Sequence, residues 1–116
     1  MPTITFKVPG KRPRGHKITL SERTGRVAWL TIGDRKVKFV LQQSRLGKEA
    51  DTLTHYASGM VFGRLNDVKV RYMVAKGHHA KLTDREAAEM LVATKIDQIG
   101  AAKVLEVLDA SETINH

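Results

Sequence analysis

The run RVAWLTIGDRKVKFVLQ, residues 26–42, decides the fold. Two β-rich segments, Arg26 to Ile32 and Arg35 to Gln42, flank Gly33-Asp34, and Gly followed by Asp suits a two-residue hairpin because glycine accepts the positive φ that such a turn needs. The turn length sets the register. Ile32 then opposes Arg35, Leu30 opposes Val37 and Ala28 opposes Phe39 on one face, while Thr31 opposes Lys36 and Trp29 opposes Lys38 on the other. The face of Val37, Phe39 and Leu41 is the expected core side. The opposite face sets the only tryptophan of the chain among cations, an arrangement that suits stacking on unpaired bases; a one-residue slip would send Trp29 into the core instead.

Upstream, Thr3 to Val8 alternates Ile4, Phe6 and Val8 with Thr3, Thr5 and Lys7, a half-buried strand ended by Pro9-Gly10. Lys17 to Leu20 alternates again and Ser21 to Gly25 reads as a turn, so residues 3–42 form an antiparallel meander. Downstream, Leu53, Tyr56, Ala57 and Met60 recur at helical spacing, which predicts a helix over 51–65 capped by Asp51 or Thr52. Gly59 and Gly63 weaken it, and a shorter helix ending at Ser58 with a strand from Met60 to Leu65 is the competing reading. Val68, Val70, Tyr72 and Val74 alternate with Lys69, Arg71 and Met73, predicting a strand over 68–74. Thr83 and Glu86 stand at capping-box spacing ahead of helices over 84–95 and 98–109, the second capped by Asp97, with a single kinked helix as the competing reading. These elements give an α+β domain, an antiparallel β-meander with helices packed on one face, in a single compact unit over 1–116. It comprises a basic β-rich part (1–48), a helix and strand (51–74) and an acidic helical part (82–110).

The 116 residues carry a net charge of +8, and the charge is divided unevenly. Residues 1–48 hold twelve Lys and Arg against Glu22 and Asp34, a net +10; the last 35 residues hold Arg85, Lys95 and Lys103 against seven acids, a net −4. Such asymmetry points to an anionic partner for the basic half. The absence of cysteine excludes disulfides, thiolate metal sites and cysteine nucleophiles, and suits a cytoplasmic protein. The amino terminus lacks the pattern of a signal peptide, and no apolar run is long enough for a transmembrane helix.

Four permanent cations, Lys11, Arg12, Arg14 and Lys17, crowd the loop of residues 9–17, where Pro9, Gly10, Pro13 and Gly15 keep the chain out of a ladder. Lys11-Arg12-Pro13-Arg14-Gly15 resembles the first half of an AT-hook, the extended motif that lies in the minor groove of AT-rich DNA. His16 stands where the second core arginine of that motif belongs and Lys17 where its proline belongs, so the groove-inserting pair is incomplete. Together with Arg26, Trp29, Lys36, Lys38, Lys69 and Arg71, these cations make the expected binding set for DNA or RNA, held mainly through phosphates and with modest sequence preference.

No nucleotide-binding glycine loop, nucleophile elbow or zinc-helix motif occurs, and a non-enzymatic protein without cofactor or metal is expected. Adjacent His78-His79, with His55, lack the spacing of a ligand set. The acidic carboxy-terminal helices argue against helix-turn-helix reading of DNA. Their alanines, Ala87, Ala88, Ala93, Ala101 and Ala102, permit close packing internally or in a homodimer. The rival to nucleic-acid binding is an interaction module that docks its basic half on an acidic protein surface, of the phage or plasmid inhibitor or adaptor kind.

Overall fold

In a computed structural model that describes residues 3–9, 20–43 and 50–115, the chain forms a five-stranded antiparallel meander followed by three helices. The strands are β1 (Thr3–Pro9), β2 (Leu20–Ile32), β3 (Arg35–Gln43), β4 (Ala50–His55) and β5 (Val61–Arg64), hydrogen-bonded in sequence order. The helices are α1 (Leu65–Lys76), α2 (Asp84–Ile99) and α3 (Ala101–Ala110). The α+β meander read from the sequence is the architecture observed, and no described helix is long and apolar enough to cross a membrane.

The central hairpin has the register expected from its turn. Ile32 pairs with Arg35, Leu30 with Val37, Trp29 with Lys38 and Ala28 with Phe39. Gly33 has φ +65° and Asp34 has none of that sign, the pattern of a type II′ turn. Ala28, Leu30, Ile32, Val37, Phe39, Leu41 and Leu53 are buried under the helices with Leu65, Val68, Ala87, Ala88, Val92 and Val104. One face of the sheet therefore builds the main core, as binary patterning on the hairpin dictates.

Three expectations of element type give way. Ser21 to Gly25 is not a turn but the first half of β2, paired with β1 from Val8↔Ser21 to Ile4↔Gly25. The segment predicted as a helix over 51–65 is the β4–β5 hairpin, and only the competing strand from Met60 survives, as β5. The reason lies in Thr52 and Thr54, β-branched residues alternating with Leu53 and His55, and in Gly59, whose φ of +68° breaks a helix and makes a turn. The strand predicted over 68–74 is helix α1. Its alternating valines divide accordingly: Val68 is buried, while Val70 and Val74 are exposed. Leu65, Val68 and Tyr72 form a second, helical stripe in the same residues, and with β5 already completing the sheet, the next segment serves as its cover.

Thr83 caps α2 with both bonds of a capping box. The break between the last two helices falls at Gly100, φ +86°, and not at Asp97, which lies inside α2. Of the alanine stripe, Ala87 and Ala88 are fully buried in the main core and Ala101 packs against it, whereas Ala93 and Ala102 face solvent.

The sheet also coils on its other face. Phe6 and Val40, on the side away from the helices by register, are buried, as is Thr54, whose hydroxyl meets Gln42 at 3.1 Å. The β4–β5 turn reaches β1 there, and the carboxy-terminal segment locks the closure. Asn115 accepts from the Lys7 N–H at 2.8 Å and donates from Nδ2 to the carbonyls of Lys7 and Tyr56 at 2.7 and 2.8 Å. One amide side chain thus replaces a missing strand partner along β1.

Candidate functional site

Among the described residues, register places β1 against β2 only as far as Thr3↔Arg26, leaving Val27 to Ile32 of β2 beyond it. The face away from the helices, closed at the β1 end, is open at this hairpin end. Trp29 stands there 52% exposed, directly across from Lys38, with Lys36 and Thr31 two pairs further along and next on the same face. The Tyr56 N–H donates to the Lys38 carbonyl at 3.2 Å, setting Tyr56 beside Lys38, and the Lys38 ammonium lies 3.8 Å above the Tyr56 ring. That cation–π contact, about 0.5–1 kcal/mol at an exposed site, positions the lysine without neutralising it. From the other side the Arg85 guanidinium donates to the Trp29 carbonyl at 3.0 Å, fixing the backbone under the indole.

The structure brings together Trp29, Lys36 and Lys38 and separates Arg26, Lys69 and Arg71 from them. Arg26 lies on the helix-covered face, paired with Leu41, and forms an ion pair with Asp84 at 2.7 Å. Lys69, placed by α1 rather than by a strand, meets the other oxygen of the same carboxylate. Arg71 projects from α1 over a different surface and donates to the Asp67 carbonyl at 3.4 Å. Lys11, Arg12, Arg14 and Lys17 lie outside the described residues. Their flanking residues, Pro9 and Leu20, pair at the far end of β2, nine residues or roughly 30 Å from Trp29. Tyr56 is the member of the patch that sequence reasoning misses. The alternation of Thr52 and Thr54 would have revealed it, since a strand there brings Tyr56 alongside β3.

Fold assembly also redistributes the charge. The bidentate Arg35–Asp109 pair, at 2.7 and 3.1 Å, ties the hairpin turn to α3 and holds the Asp109 carboxyl below its ordinary range. With Asp84 engaging Arg26 and Lys69, the acidic helices answer basic residues on the covered side. Lys36 and Lys38 form no ion pair among the described residues.

Under the sheet, the His55 ring is nearly buried, edge-on to Phe39, with Nδ1 2.8 Å from the Ser58 hydroxyl. The Met60 N–H donates to that same Oγ at 3.2 Å, so one hydroxyl holds both the ring nitrogen and the turn backbone. Burial holds the imidazole below its ordinary value of 6.5, against the pull of Asp109 and with help from Arg35. The unfolded chain therefore binds more protons below about pH 6.5, and stability present above that value falls as pH descends through it. Urea midpoints should drop between about pH 7.5 and about pH 5.5 in the natural protein, and a His55→Leu chain should lack that decline. Asp109 and Glu86, both held below their ordinary ranges by hydrogen bonds, act only at more acidic pH. A natural-protein midpoint that stays flat across the window would refute the buried neutral ring.

Among the described residues no group of three or more His, Cys, Asp or Glu is placed to hold a metal. The arrangement defines a class of protein, a five-stranded coiled meander with three helices and one open aromatic and cationic sheet face. No protein-family model, curated protein or solved structure matches the chain.

Proposed function

We propose that this is a small nucleic-acid-binding protein that uses the open end of its sheet, with Trp29 as a stacking platform and Lys36 and Lys38 as phosphate contacts. The observation that carries the reading is the exposed Trp29 indole directly opposite Lys38 on a face the helices leave uncovered. An aromatic ring flanked by unneutralised ammonium groups matches both parts of a single strand, its π-faces and its phosphates. Pro9 and Leu20, which flank the cationic stretch in sequence, pair at the other end of β2, and a polymer is the ligand long enough to span that distance. Its length suits this role better than any small anion would.

Because Trp29 is the only tryptophan, its fluorescence reports the site directly. Titration with single-stranded DNA or RNA at about 50 mM salt should quench it, and affinity should fall steeply as salt rises. Trp29→Ala should weaken single-strand binding by about 1–3 kcal/mol, roughly 5- to 150-fold, while costing the fold less than a core truncation does, since half of the residue is already in water. Lys36→Glu with Lys38→Glu should weaken binding and flatten the salt dependence. Undetectable binding of single-stranded DNA, RNA and duplex alike at low salt would end the proposal.

A further inference from the structure

On the side of the molecule away from Trp29, α1 and α2 diverge around a groove of about 500 Å³. Its floor is apolar, with Phe62 from β5 and Met90 and Leu91 from α2, and Met90 is itself 39% exposed. Its walls carry Arg71 and Lys76 on α1 and Lys95 on α2, with no acid among the described lining residues. None of the three cations forms an ion pair among the described residues. In a chain whose α2 and α3 are otherwise acidic, this is an unneutralised basic rim around exposed apolar surface.

We infer that this groove is a docking site for an acidic amphipathic helix of a partner protein. The α1 wall runs from Val68 to Lys76, about 12 Å, which accommodates two helical turns and so two or three apolar anchors on one face. Charge selects the occupant. Three cations on two walls match carboxylates spaced along both flanks of a helix, whereas a single-headed amphiphile such as a fatty acid brings one carboxylate and leaves two cations unmatched. Nucleic acid has no aliphatic face for Met90 and Leu91. A second copy is a poor fit, because α3, its most amphipathic helix, spends its apolar side on its own core and its acids Asp109 and Glu106 on Arg35 and Lys103. The site is independent of the Trp29 face, so the two would be read separately. Together they would make the chain an adaptor.

The probe is a labelled helix-forming peptide of about 14 residues with leucines at i, i+4 and i+7 and glutamates on both flanks, titrated into the full chain by fluorescence anisotropy. Saturable binding is expected that weakens between about 50 and about 300 mM salt. Arg71→Glu with Lys95→Glu should lower the affinity at least about tenfold, and the neutral pair Arg71→Gln with Lys95→Gln should shift it in the same direction by less. Far-UV circular dichroism checks that both variants fold, and the neutral pair decides the matter if the reversed pair does not. A lysine-for-glutamate version of the peptide should not bind. The proposal is overturned if the acidic peptide fails to saturate, if it binds both variants as tightly as the natural chain, or if dodecanoate binds at one equivalent and blocks it. Oligonucleotide quenching of Trp29 should be unchanged by saturating peptide, so failure here leaves the sheet-face reading standing and the reverse also holds.

Discussion

Phe39→Ala should destabilise the fold by about 3–5 kcal/mol, against a total stability of about 5–15 kcal/mol expected for a domain of this kind. Phe39 is completely buried at the middle of β3. Its ring meets Phe62 edge-on at 5.2 Å and His55 at 5.8 Å, which joins the central hairpin to β4 and β5. Alanine would remove the transfer energy of the ring and leave a cavity walled on both sides by strands, which collapse poorly because their backbones are hydrogen-bonded on each flank. The urea midpoint should fall accordingly, and the melting temperature by roughly 12–25 °C. Trp29→Ala, one pair nearer the same turn but on the other face and half exposed, is the control with a much smaller effect. A Phe39→Ala loss below about 1.5 kcal/mol would mean that the ring is not enclosed as described.

The contrast between those two aromatics shows what was legible in the sequence. Both lie on strands with strong β-propensity, and the Gly33-Asp34 turn alone sent one inward and the other out, because a hairpin register leaves no freedom of face. Local chemistry of that kind also specified β1 and the Thr83 capping box. Where two periodicities overlapped, the sequence could not choose. Residues 65–76 carry alternating valines and a Leu65–Val68–Tyr72 helical stripe at once, and the decision came from the sheet, which needed a cover and not a sixth strand. Residues 51–60 failed for the mirror-image reason.

The candidate site was legible in part. Trp29, Lys36 and Lys38 follow from register. Arg26 and Lys69 do not belong with them, because their common partner, Asp84, is far away in sequence and arrives only when α2 crosses the sheet. The net +10 of the first 48 residues is therefore not presented on one surface. The acidic helices lie across one face of the basic sheet, engage Arg26 and Arg35 there, and leave the opposite face positive. Folding sharpens the charge asymmetry of the chain into an asymmetry between two sides of a sheet, with the unneutralised Lys36 and Lys38 set beside an aromatic platform on the uncovered side.

Closure of the sheet at its other end depends on one residue without a side chain. Gly59→Ala should cost about 2–5 kcal/mol, from two separable sources. A positive φ, here +68°, costs an L-residue about 1–2 kcal/mol. A Cβ at Gly59 would also lie 2.6 Å from the Lys7 carbonyl oxygen and 2.9 Å from the Val8 Cα, and since both are backbone atoms of β1, the strand itself must move, at about 1–3 kcal/mol. Two other glycines resolve these terms. Gly33 has φ +65° but its Cβ would meet only that of Ala101 at 3.5 Å, so Gly33→Ala carries the conformational cost alone. Gly25 has no positive φ but its Cβ would fall 2.6 Å from the Leu41 carbonyl oxygen, so Gly25→Ala carries the steric cost alone. Gly59→Ala should exceed both, and hydrogen exchange should show why. The Lys7 amide, held by Asn115 across the closure, should lose protection in Gly59→Ala and keep it in Gly33→Ala, whose strain lies at the opposite end of β2. If Gly59→Ala costs no more than Gly33→Ala and the Lys7 amide stays protected, β1 is not seated against the β4–β5 turn, and the face that carries Trp29 is an open sheet from end to end.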